Sequence, residues 1–274
     1  MSEKHQIRAQ ELRDKHKDFL EAEADSNFRL PCGQNRARIT RALSWLEASE
    51  NAVEKIESGA IQEKDGLDQS FIFLWIAFNA AYGYDPHVRA EEGMMKEKEI
   101  IEKFIRKIKT INPEANRALT ELVKTHGLTF GDLLRNPFMY EGKYGGFWGW
   151  VRSYRGYLSP QQWKRSKKGR EFAAENKSLK MIKNKDEFLI IVFERLRALR
   201  NQIFHGGATF GKESRNRSSV ESGQKALALL VPMILKIMLD APRDEKWRPI
   251  SYPRFRPDLD GSDDEVWFDD RRIR

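Results

Sequence analysis

Three segments of this chain are strongly apolar at helical spacing, and no stretch alternates apolar and polar residues as a half-buried strand would. FIFLWIAFNAAYG, from Phe71, is apolar almost all round and predicts a core helix. From Phe188 to Ile203, the residues Leu189, Val192, Phe193, Leu196, Leu199 and Ile203 fall on one stripe. Ser219 to Leu239 predicts a third strong helix, with Pro232 as a kink. Such patterns bury their grease only against one another, so the predicted fold class is an all-α bundle.

The rest of the chain fits that frame. Lys4 to Ala24 reads as a polar, charge-interleaved helix, peripheral or packed on a partner. Asn35 to Ile56 carries Ile39, Leu43, Leu46 and Val53 at helical intervals. Asp68 or Ser70 is expected to cap the apolar helix that follows, and Gly83 and Pro86 to end it. Glu92 to Thr110 is amphipathic through Ile100, Phe104, Ile105 and Ile108, and Glu114 to His126 suggests a shorter helix after Pro113. Residues 127–180 read as an insertion. Its first part, rich in glycine and aromatics, predicts loops and short helices, and its last part is the most basic stretch of the chain. The domain reading is one helical unit over 1–240 and an irregular tail over 241–274, rich in Pro, Asp and Arg.

Composition narrows the function classes. Cys32 is the single cysteine, which excludes an intrachain disulfide and a thiolate zinc site. His5, His16, His87 and His126 lack metal-ligand spacing and read as surface residues. No dinucleotide or P-loop glycine pattern and no GxSxG occurs, so no cofactor is expected. The 20 or so apolar residues that span a bilayer are not found in one run, nor is an N-terminal signal core, and the chain reads as cytoplasmic, with no membrane partner. A formal charge of +8 suits an acidic partner such as RNA.

The chemistry-bearing segment is RNQIFHGG, residues 200–207, where the second apolar helix stops. Arg200 offers a rigid two-pronged donor for phosphate oxygens, and His205 an imidazole that titrates near neutral pH. Together they can cut a phosphodiester without a metal. On an ideal helix Asn201 and His205 share a face, whereas Arg200 lies roughly 140° from His205. Convergence on one phosphate therefore needs either a loosened last turn at Gly206 or a two-fold dimer that pairs two helix ends. The same residues also suit a plain helix end, because the dipole favours Arg and His there and Gly-Gly is an ordinary stop.

RLRALRNQIFHGG resembles the signature of HEPN-domain proteins, in which an Arg, often followed by a polar residue, precedes a His by a short spacing. The apolar helices on either side look like those of stand-alone bacterial HEPN proteins. The resemblance covers residues near 35–84 and 187–239. It implies a HEPN-like bundle, a homodimer, and metal-independent endoribonuclease activity as a toxin or in antiviral defence, with Arg200, Asn201 and His205 as the site. It also allows an inactive module that binds RNA or a partner protein. An antitoxin or other regulatory partner would fit either reading. One branch of the family is silenced through a tyrosine two residues after the motif His, and Gly207 stands there in this chain.

Further candidates follow from that expectation. Lys164, Arg165, Lys167, Lys168 and Arg170 could track an RNA backbone, or form a solvated loop surface. Trp148, Trp150, Tyr154 and Tyr157 could stack on bases, or pin the insertion to the core. Asn79, in an otherwise apolar helix, is expected to hydrogen-bond in support of the motif helix. Glu194 is expected to pair with Arg195 or Arg197 on an exposed face.

Overall fold

The computed structural model describes residues 7–24, 33–83, 97–111, 113–140, 160–179, 185–204 and 217–241. Every regular element among them is helical: α1 Ala9–Ala24, α2 Gly33–Glu57, α3 Glu63–Tyr82, α4 Glu97–Ile111, α5 Pro113–Thr125, α6 Gly127–Arg135, a 3-10 turn Pro137–Met139, α7 Pro160–Arg165, α8 Lys167–Leu179, α9 Lys185–Phe204 and α10 Arg217–Asp240. The C-terminal tail, the aromatic stretch 141–159 and the glycines after the motif lie outside the described residues.

The predicted apolar stripes meet in one core. Phe71, Leu74, Trp75 and Phe78 of α3 are buried with Leu189, Val192, Phe193, Leu196 and Leu199 of α9. Leu227, Leu230, Val231, Ile234, Leu235 and Met238 of α10 complete its centre. The most extensive helix pair is α2 with α3, and α10 packs in turn against α3, α6, α1, α2 and α5. Two thirds of the apolar part of α10 is buried there (67%), so core packing accounts for a helix whose length and composition would otherwise suit a membrane. The helix runs on through Pro232.

Several expectations need correction. The apolar helix α3 starts at Glu63, with Gln62 in the cap position and no side-chain cap bond. Asp68 and Ser70 therefore do not cap it. Asp68 meets Arg217 of α10 at 3.3 Å. Ser70 joins a buried polar chain, 2.7 Å from Ser49 of α2 and 3.1 Å from Gln224 of α10. These bonds fix the register of three helices whose apolar faces alone would tolerate sliding.

Helix α1 is not merely peripheral. Ala9 and Leu12 are buried, and His16, expected on the surface, is buried too and lies 3.0 Å from the Thr40 hydroxyl. The backbone N–H of Ala9 donates to Glu50 of α2 at 2.9 Å, so a carboxylate from another helix satisfies an orphan donor of the first turn. Lys15 and Lys236 both reach Asp240 at the end of α10. The first part of the supposed insertion also belongs to the core, through Phe130, Leu133, Leu134 and Met139. Asn136 ends α6 and donates to the Ser219 hydroxyl of α10 at 2.6 Å.

Gly223 of α10 is a point of close approach. A Cβ there would lie 2.6 Å from Leu199 Cδ2 and 3.0 Å from Phe71 Cε2, both fully buried. Gly223→Val is expected to cost about 3 kcal/mol by overpacking, read as a lower denaturant midpoint. Asp240 supplies a pH test. Burial raises its pKa, but the hydrogen bonds from Lys15 and Lys236 outweigh that and hold it below the ordinary 3.8. Its contribution to stability is present above 3.8 and lost as pH falls through the lower folded value. Asp240→Asn should therefore destabilise at neutral pH, and its unfolding curve should converge on the wild type below that range.

Candidate functional site

The site is built where α9 ends beside α3 and α4. Arg200 lies in the last turns of α9, its side chain 19% exposed. Its Nη2 donates to Glu97 Oε1, at the first turn of α4. The guanidinium lies over the Trp75 ring of α3, 5.1 Å from the ring centroid. The Tyr82 hydroxyl, from the last turn of α3, donates to the same Glu97 oxygen at 3.1 Å. Arg200 is thus held from two sides, by a carboxylate along its edge and an aromatic face beneath.

The local sequence explains these positions. Trp75, Phe78 and Tyr82 recur at intervals of three and four, so they share a face of α3. Phe78 stacks on Phe193 of α9 at 4.3 Å between centroids and meets Phe104 of α4 edge-on at 6.1 Å. The end of α3 is fixed by Arg38 of α2, which donates to the Gly83 carbonyl at 2.8 Å. Burial pulls the Arg38 pKa down to about 10, which leaves the guanidinium charged at neutral pH beside the negative end of the helix.

Of the predicted motif residues, Arg200 and Asn201 lie within the described helix, and Asn201 is half-buried. His205 lies outside the described residues. Phe204 is 56% exposed at the helix end, an unusual place for a large apolar ring. Asn79, on the α3 face between Trp75 and Tyr82, does not support α9 by a hydrogen bond as expected: its Oδ1 is buried and meets no partner. Glu97, Tyr82 and Trp75 were not singled out in the sequence. Glu97 is 103 residues from Arg200, and an acid in a first helical turn is ordinary.

The basic stretch forms a small hairpin, α7 and α8. Lys164, Arg165, Lys167 and Arg170 are exposed and Lys168 is half-buried. Gly169 allows the two helices to touch, because a Cβ would fall 1.8 Å from the Trp163 carbonyl oxygen. Trp163 and Phe172 pack with Tyr140 in a cluster separate from the main core. Trp148, Trp150, Tyr154 and Tyr157 lie outside the described residues.

Among the described residues, an ion pair ties the hairpin to α9. Arg195, 1% exposed, pairs with Glu175 of α8, and its guanidinium lies 4.8 Å from the Tyr140 ring centroid and 5.9 Å from that of Phe172. Burial raises the Glu175 pKa, with Arg195 opposing it. The expected exposed pair within α9 is therefore corrected: Glu194 pairs with Lys98 of α4, and Arg195 faces inward. Among the described residues, no group of three His, Cys, Asp or Glu side chains could hold a metal ion.

Comparison of the chain with family models, curated proteins and solved structures gives no match.

Arg195→Leu leaves Glu175 without its cation. Glu175 still reaches solvent, so the cost is expected to be about 2 kcal/mol, below that of a fully buried pair. The α7–α8 hairpin should become the first site of limited proteolysis, which checks the anchoring role.

Proposed function

We propose that the protein is a metal-independent endoribonuclease with a HEPN-like bundle, acting as a toxin or antiviral effector through a composite site in a homodimer. The observation that carries this reading is Arg200. It is a guanidinium still reachable from solvent, oriented on an aromatic platform, and five positions before a histidine at a glycine-marked helix end.

In this mechanism RNA supplies the nucleophile. One His205 takes the proton of the 2′-hydroxyl, whose oxygen attacks phosphorus. The bond to the 5′-oxygen breaks, and the second protomer's His205 returns a proton to that leaving group. The products are a 2′,3′-cyclic phosphate and a free 5′-hydroxyl. Arg200 holds the non-bridging oxygens as charge builds, and Asn201 orients His205 or bonds the phosphate. The exposed Phe204 ring gives two helix ends an apolar anchor. The basic residues on α7–α8 supply a surface for the RNA backbone.

A second reading is a silent module that binds RNA or a protein. The Arg200–Glu97 pair favours it, because that guanidinium is already neutralised. Incubation with RNA in EDTA separates the two. Cleavage with cyclic phosphate ends is expected, and His205→Ala should lower it by about 10² to 10⁴. A His205→Ala variant as active as wild type refutes the assignment, and absence of cleavage on any RNA leaves the silent module.

A further inference from the structure

Two donors from two helices meet on one oxygen. Tyr82 O–H and Arg200 Nη2 both point at Glu97 Oε1. Converging donors of this kind hold an oxyanion, and a carboxylate and a phosphate present their oxygens to them in the same way. The Nε–H and one Nη–H of an arginine lie along a common edge that can grip two oxygens side by side. Glu97 takes an Nη prong of Arg200, while Nε is buried and meets no acceptor. Arg195 shows a similar half-filled fork, but it is closed off between Tyr140 and Phe172 at 1% exposure. Of these two arginines Arg200 is the more accessible, its side chain 19% exposed.

We propose that Glu97 is an internal stand-in for substrate phosphate, and that Tyr82 is a second phosphate-binding donor beside Arg200. This rests on the reading of Arg200 as the residue that holds RNA phosphate. One non-bridging oxygen takes the position of Glu97 Oε1, between Tyr82 and Nη2. Two anions on one guanidinium repel each other, so carboxylate and phosphate exclude each other. Glu97 is suited to leave. It stands at the start of α4, 30% exposed, and the buried anchors of that helix begin three residues later at Ile100. A tethered carboxylate competes at a high effective concentration. The free protein is therefore quenched against isolated phosphates and yields to a strand that brings further contacts.

The test is fluorescence anisotropy with a 2′-O-methyl RNA oligonucleotide in EDTA, which binds but offers no attacking hydroxyl. Glu97→Gln should tighten binding by about fivefold or more, since an amide competes poorly for the fork. Glu99→Gln, which removes the same charge from an exposed position on the same helix, should tighten it less. Tyr82→Phe alone should change little, because Tyr82 serves carboxylate and phosphate alike. In the Glu97→Gln background it should weaken binding about tenfold. That non-additivity is the signature a merely structural tyrosine lacks. Circular dichroism checks the folds, and Glu97→Asp, which retracts the carboxylate, replaces Glu97→Gln if the latter misfolds. Equal gains from the Glu97 and Glu99 variants, or a Tyr82 effect that ignores residue 97, overturn the proposal. Arg200→Ala binding as tightly as wild type would instead defeat the reading of Arg200 itself, whereas a weak Arg200→Ala variant beside an additive Tyr82 sinks only this inference.

Discussion

The contacts of Phe78 hold the rest of the structure in place. Its ring is fully buried and touches Trp75 and Tyr82 along its own helix, Phe193 of α9 and Phe104 of α4. Aromatic pairs of this kind add fixed geometry to a burial that is otherwise non-directional. Two neighbouring helices, α3 and α4, and the distant α9 are thereby held at set rotations. The same rotations bring the platform under Arg200 and the Tyr82 hydroxyl beside Glu97. The site is an edge of the core, and its precision is inherited from packing behind it.

Two arginines five residues apart on α9 illustrate how burial decides the use of a charge. Arg195 is sealed between rings and a carboxylate, where a cation serves attachment. Arg200 remains partly exposed, with a carboxylate and one ring for company. The sequence treats the two alike, RLRALR, and only the third dimension separates an anchor from a candidate ligand-binding group.

The helical class and the core stripes were legible because grease at a period near 3.6 has one economical solution. Leu196 and Leu199 could be assigned inward from spacing alone. What stayed hidden depended on distant partners. Asp68 and Ser70 look like caps, yet Arg217 and Gln224 draw them into tertiary bonds. His16 looks exposed on a charged helix until Thr40 meets it. Glu194 looks paired with its neighbours until Lys98 is brought alongside. Glu97 had no local mark at all, because a first-turn acid has an ordinary reason to exist. Within the motif, Arg200 was legible as a helix-end cation, but its carboxylate neighbour was not.

The position of α10 has a consequence for biosynthesis. This last described helix contacts α1, α2, α3 and α5, and its final residue Asp240 bonds to Lys15 near the start of the chain. During translation the earlier helices emerge with their central partner still inside the ribosome, and their inward faces remain uncovered until residues 217–240 are released. Closure is then a long-range event, slow compared with local helix formation. Nascent chains of this protein should be clients of cellular holdases for most of their synthesis, and truncation within α10 should yield aggregates rather than a smaller domain.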